Sequence, residues 1–477
     1  MILGASLARL AHLDTVHAVS FMFFPLALHS LDLFSSTIGL YFVKTEDNKG
    51  KFNHNIDETK LEDALDVMKR GYMVALIFGI SGFCGICFLF LRTSVFPRSW
   101  LLFAACGIVG AVISYLFVIV TQYYTDYNFA PVKRMAKASE TGHATNIIAG
   151  LAVGMESTGA PVLIISCGVL VSYHLGRATG ITDLEGNLIG GLFGTAIATM
   201  GMFCTGVYVL AMSGFGPIAD NAGGIVEMSE LPDSVRTITD RLDAVGNVTK
   251  ANAKGYSVGS AAMACFLLFS AFIDEVNMIS PVKITSVDIT IPEVFIGGLL
   301  GAMTVFVFAS WAIAAVGNAA QDVIIEARRQ VTPDVIARRV KPDYTKCVEI
   351  VTAAGQREMV KPGLLSVLSP IAVSLLFKFI GNITGQELLG PKAVCAFLMF
   401  STSTGILMAL FLNNGGGAWD NTKKYCESQG LKKTDTHMAA VTGDTVGDPC
   451  KDTAGPSLHI LIKLVSTITL VMVPLLV

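Results

Sequence analysis

With 477 residues, 52% of them hydrophobic and only 15% charged, and a mean hydropathy of +0.61, the chain carries more apolar surface than a soluble domain of this length needs. It reads as a polytopic helical membrane protein. The net charge of −3 says nothing about partners, because the charges are sorted by loop, and no interleaving of basic and aromatic residues points to nucleic acid. Most of the 10 cysteines, such as Cys106, Cys167, Cys204 and Cys265, lie in apolar runs, where thiols act as small hydrophobes. No disulfide framework is implied.

The first residues, MILGASLARLAHLD, lack the apolar stretch and cleavage site of a signal peptide. Runs of about 20 apolar residues then predict ten spans. They cover roughly 16 to 43, 70 to 92, 99 to 123, 145 to 172, 185 to 213, 251 to 273, 293 to 317, 362 to 382, 391 to 413 and 455 to 477. Asp32, within the first, and Glu156, near the start of the fourth, are isolated acids for which structural pairing or helix packing is expected rather than catalysis. Cys84 and Cys87 form a CxxC inside the second span with no companion pair, which argues against a metal or redox site.

Long polar connections (44 to 69, 124 to 144, 214 to 250, 318 to 361 and 414 to 454) alternate with short ones. Counting the basic residues at their borders, the long connections hold 26 of the 34 lysines and arginines, against 6 on the short side. The positive-inside rule then places the long connections in the cytoplasm and both termini of this chain on the opposite face. The segment 318 to 361, with Arg328, Arg329, Arg338, Arg339, Lys341 and Lys346, is expected to be a solvated helix and loop that satisfies topology.

The remaining polar residues gather at the ends of spans on that side. GFGPIADNAGGIVEMSE and GNVTKANAKG bring Asp220, Asn221, Glu227, Asn247, Lys250 and Lys254. NNGGGAWDNTKKYCE brings Asp420, Lys423 and Lys424. GDTVGDPCKDTAGPSLHILIKL brings Asp444, Asp448, Lys451 and Asp452, with Lys463 about three turns deeper. In a helix, Asp448, Lys451 and Asp452 would share one face, and a lysine at the depth of Lys463 marks a functional site unless it only snorkels. Glycines beside acids allow close approach of a ligand. Carboxylates and amides next to lysines suit a magnesium–phosphate complex: Mg²⁺ takes oxygen ligands, while lysines act as point charges on phosphate oxygens. No GxxxxGK[ST] loop is present, so the usual ATPase cradle is excluded.

These four long motifs resemble those of the membrane-bound, ion-translocating inorganic pyrophosphatases, and the similarity extends over essentially the whole chain. The resemblance implies an all-α polytopic protein acting as a homodimer in the lipid bilayer. It would hydrolyse magnesium pyrophosphate in a cytoplasmic funnel and export protons, or in some members sodium ions, from the cytoplasm. It further implies that Asp220, Asn247, Asp420 and Asp448 hold magnesium and pyrophosphate, that Lys254, Lys423, Lys424 and Lys451 hold phosphate, that Asp452 orients the attacking water, that Asp444 supports these ligands, and that Lys463 belongs to the ion gate. Lys250 stands where potassium-independent members carry lysine and potassium-dependent ones alanine, which implies the potassium-independent proton pump. The alternative at that position is a solvated lysine at a helix end.

The resemblance also implies that the ten spans are the last ten of sixteen, forming one transmembrane domain over residues 1–477. About six further spans in family members carry DxxxDxxxD-type and DxxxxxxxKxE-type motifs that complete the metal site. A glutamate that helps choose between ions also lies in those spans. Catalysis is therefore expected to need them, and the membrane is expected to be a vacuolar-type or other acidic endomembrane, or the plasma membrane. The competing reading is a non-enzymatic transporter or inactive fragment that binds phosphate-type anions. Asp452 discriminates, since a transporter needs cations for an anion but no carboxylate to activate water.

Overall fold

The computed structural model describes residues 1–45, 63–229 and 231–476; most of the expected basic loop 44 to 69 lies outside the described residues. In chain order the helices are α1 (Ile2–Leu10), α2 (Thr15–Tyr41), α3 (Ala64–Leu91), α4 (Ser99–Thr125), α5 (Ala130–Ser139), α6 (His143–Glu156), α7 (Gly159–Ala178), α8 (Gly190–Met202), α9 (Gly206–Met228), α10 (Asp233–Ile279), α11 (Pro292–Gln330), α12 (Pro333–Ile336), α13 (Tyr344–Glu358), α14 (Val360–Thr384), α15 (Leu389–Ser428), α16 (Asp435–Asp448), α17 (Gly455–Val471) and α18 (Val473–Leu476). Ten helical stretches among the described residues are long and apolar enough to cross a membrane, as the hydropathy predicts. A bilayer core offers no water to bond peptide groups, so helices that satisfy their own backbone are the form such runs adopt.

Helix does not stop where hydropathy falls. α10 spans Asp233–Ile279 where 251 to 273 is expected, and α15 continues to Ser428 where a loop is expected from residue 414. The reason is that charged residues end an apolar run without interrupting the i→i−4 hydrogen-bond ladder. The polar motifs therefore sit on rigid helical extensions.

The chain forms two compact units, residues 1–267 with 417–444 and residues 268–416 with 445–477. In the first, α7 and α8 meet backbone to backbone: a Cβ on Gly194 would lie 2.6 Å from Gly176 Cα and 2.6 Å from Ser172 O. This is small-residue packing, which brings membrane helices close where no hydrophobic force distinguishes helix from lipid. A 3₁₀ turn at Phe203–Thr205 separates α8 from α9, and side chains of α2 and α10 satisfy the peptide groups there. Ser35 Oγ donates to Cys204 O (3.0 Å), Asp32 Oδ2 accepts from Val207 N (3.2 Å), Ser36 Oγ accepts from Tyr208 N (3.1 Å) and Tyr256 OH donates to Met202 O (2.9 Å). The structural pairing expected for Asp32 is thus met. Glu156 likewise pairs with Arg134 at 3.1 Å. Cys84 and Cys87 are free thiols.

In the second unit, α11 packs against α13 and α14, and α14 against α17. The arginine-rich segment is the solvated structure expected of it, with local pairs such as Glu326–Arg329 (2.5 Å) and Lys346–Glu349 (2.8 Å).

Candidate functional site

In the first unit the polar end of α15 is anchored by Trp419. The indole is 2% exposed, packs on Val132, Met135 and Val153, and donates to Asn146 O at 3.3 Å. The next turns are thereby held rigid. Asp420 is 6% exposed, and Asn421 Nδ2 donates to Thr125 O at 2.7 Å. Lys423 and Lys424 are successive residues, so the helix points them about 100° apart, and each finds a different carboxylate. Lys423 Nζ lies 2.5 Å from Asp444 Oδ2 on α16, and Lys424 Nζ lies 2.6 Å from Asp243 Oδ2 on α10. Carboxylate oxygens of Asp420 and Asp444 approach within 4.8 Å.

On α10, Asn247, Lys250 and Lys254 recur at i, i+3 and i+7, one face of the helix. Asn247 Nδ2 donates to Asn421 Oδ1 at 3.3 Å, which turns its own Oδ1 into a buried acceptor with no partner among the described residues. Lys250 is 6% exposed and its Nζ lies 3.0 Å from Asp220 Oδ2 on α9. α9 and α10 come this close at Gly216, where a Cβ would lie 2.7 Å from Gly246 O. Lys254 follows one turn later, half-buried.

In the second unit a π-helical turn, Pro449–Ala454, stands between α16 and α17. A π turn admits an extra residue and re-aims the side chains it carries, a feature frequent at functional sites. Around it the Lys451 side chain is 4% exposed, while those of Asp448 and Asp452 are 52% and 44% exposed. The three still meet, with Lys451 Nζ 3.0 Å from Asp448 Oδ1 and 3.9 Å from Asp452 Oδ2. Gly416 permits this, since a Cβ there would lie 2.6 Å from Gly447 O. Lys463 lies on α17, partly buried.

The predicted residues therefore gather into Asp220–Lys250, Asn247 beside Asn421, Asp420 with Asp444 and Lys423, and Asp448–Lys451–Asp452. Asp444, expected to support ligands, itself holds a lysine and faces Asp420. The sequence reading missed Asp243. Its spacing of four residues before Asn247 on the same helix face was the available signal. Carboxylates and an uncommitted amide oxygen are hard donors suited to Mg²⁺, and buried lysines beside them suit a polyanion.

The family described as "Inorganic H+ pyrophosphatase" matches residues 1–472. The chain is 54% identical over 479 residues to "Pyrophosphate-energized membrane proton pump 3" of Arabidopsis thaliana, an alignment covering all of this chain and 59% of that protein. It is 50% identical to "K(+)-insensitive pyrophosphate-energized proton pump 2" of Moorella thermoacetica, covering 94% of this chain and 62% of the relative. A third relative, "K(+)-insensitive pyrophosphate-energized proton pump" of Caldanaerobacter subterraneus subsp. tengcongensis, is 49% identical, with 95% and 61% covered. The chain thus spans about three fifths of the length of these relatives.

Proposed function

This chain belongs to the inorganic H⁺ pyrophosphatase family, and on that premise we propose that its full-length protein is a potassium-insensitive proton pump driven by pyrophosphate hydrolysis. The observation that supports this reading best is the pairing of four lysines with carboxylates in the polar helical stretches, including Lys423–Asp444 and Lys424–Asp243, with the Asp420 carboxylate near Asp444.

Lys254, Lys423, Lys424 and Lys451 hold the phosphate oxygens as point charges. Asp220, Asn247, Asp420 and Asp448 hold Mg²⁺, which when bound neutralises the charge on those oxygens. Phosphoryl transfer asks chiefly for positioning and charge balance. Asp452 orients a water whose oxygen bonds to one phosphorus while the bridging P–O bond breaks, and the water's proton passes to carboxylate. Lys463, three turns deeper, changes its pairing as charge is gained or lost above it, which couples hydrolysis to proton export from the cytoplasm. Lys250 supplies, tethered, the single charge that a potassium ion would bring. The protein acts as a homodimer.

The test is the full-length protein reconstituted in liposomes with an entrapped pH dye. Magnesium pyrophosphate should release phosphate and acidify the vesicles, with an uncoupler abolishing only the acidification. Binding of pyrophosphate without phosphate release would favour the non-enzymatic transporter instead.

A further inference from the structure

The side chains around Lys424 form a buried chain of ionisable groups that none of the roles above requires. Lys424 Nζ lies 2.6 Å from Asp243 Oδ2 and 4.0 Å from Glu427 Oε2, one turn along its own helix. Glu427 Oε1 in turn lies 3.1 Å from His437 Nε2 on α16. All four lie within the first unit. Their side chains are nearly withdrawn from solvent: 6% exposed for Asp243, 13% for Lys424, 12% for Glu427 and 10% for His437. Surface ion pairs are worth little and need no function, but an ion pair withdrawn from water persists only when its geometry is held on both sides.

The environment also separates Lys424 from its neighbour. Lys423 meets the one carboxylate of Asp444, close to Asp420 and so among the groups assigned to the metal. Lys424 is reached by two acids from two helices, and the further one is steadied by a histidine from a third. A lysine on a flexible four-carbon stem has rotamer entropy to lose when it binds an anion. Holding the stem in place beforehand removes part of that loss from the binding step.

We propose that Asp243 and Glu427, with His437 steadying Glu427, are positioning residues that hold the Lys424 ammonium ready for the phosphate anion. This rests on the functional reading above. Asp243 and Glu427 act through Lys424 and do not touch the substrate. Asp243 Oδ1 is buried and without a hydrogen-bond partner among the described residues, so the oxygen that this carboxylate commits is the Oδ2 facing the lysine.

The test uses the full-length protein. Asp243→Asn should raise the KM for magnesium pyrophosphate at least about tenfold, the effect of losing one charge-assisted hydrogen bond, with a smaller change in kcat. Asp243→Glu should recover part of the loss. In a Lys424→Met background, Asp243→Asn should add little, because its partner is already gone. Full additivity of the two substitutions would overturn the inference, as it would mean that Asp243 acts elsewhere. A second measurement does not depend on turnover: reductive methylation of lysines, read residue by residue by mass spectrometry. Asp243→Asn and Glu427→Gln should each speed methylation of Lys424 severalfold and leave Lys423 unchanged. Equal rates at Lys424 in variants and parent, with hydrolysis intact in the parent, would overturn this inference alone. No hydrolysis by the parent would overturn the functional reading and, with it, any positioning for catalysis.

Discussion

Lys250 Nζ and Asp220 Oδ2 meet at 3.0 Å across the contact of α9 with α10, the lysine side chain 8% exposed and the aspartate 55% exposed. The buried partner is the cation, so the ammonium is fixed and the carboxylate keeps a side open to solvent. An acid so placed can serve a ligand while its charge remains balanced from within.

The first prediction follows from that pair. The full-length protein should hydrolyse pyrophosphate equally well with and without K⁺. Lys250→Ala should lower the rate severalfold or make it potassium-stimulated, because Asp220 then lacks its tethered counter-charge. Titration of activity with KCl, at ionic strength held constant with a larger cation, is the check. Strong potassium stimulation of the parent protein would remove Lys250 from the role of surrogate cation.

Asp452→Asn should abolish hydrolysis while leaving substrate affinity largely intact. The substitution keeps the size of the side chain but removes the proton acceptor. A side chain 44% exposed can meet a water without moving the buried Lys451 beside it. Single-turnover phosphate release, measured beside binding of a non-hydrolysable diphosphonate, separates the two effects. Hydrolysis within about threefold of the parent rate would reject the role, since loss of a general base removes about a hundredfold or more.

Topology can be read from one cysteine. Cys426 is 0% exposed, on α15 against Ala136 and Ala440, so it will not report the side on which its segment lies. Cys347, on α13, is partly exposed and does report. An impermeant maleimide should modify Cys347 only from the cytoplasmic face, as the charge asymmetry predicts. Modification from the opposite face would invert the orientation and the funnel built on it.

Gly150→Ala should destabilise the protein by about 1–3 kcal/mol, the usual penalty of forcing an extra carbon into a packed core. A Cβ at this position would run into the Trp419 indole ring. Because Trp419 fixes the turn that carries Asp420, Lys423 and Lys424, activity should fall along with thermal stability. Unfolding in detergent, followed by tryptophan fluorescence, measures the first effect. An unchanged midpoint would show that the indole has room to move.

Hydropathy and charge placement made the ten spans legible, because the bilayer demands about 20 apolar residues per crossing and tolerates few exceptions. Their isolation from other polar motifs set Asp32 and Glu156 apart from the candidate site, and both are structurally paired. Spacing along one helix made Asn247, Lys250 and Lys254 legible as one face. What a window of sequence could not see was the continuation of α10 and α15 into their polar motifs, since loss of hydropathy is not loss of helix.

Distance along the chain hid the rest. Asn247 and Asn421 are 174 residues apart and meet only because their helices do. The same is true of Asp243 with Lys424. The choice of Asp444 for Lys423 and of Asp243 for Lys424 is made by the angle between successive residues on a helix wedged between two others. Sequence alone therefore determined the class, the spans and most of the candidate polar residues, because these can be read from composition, local period and motif. Only the tertiary structure decided which carboxylate holds which lysine and how the π turn buries Lys451 beside a more exposed Asp452, because both depend on where separate helices and one irregular turn place their side chains.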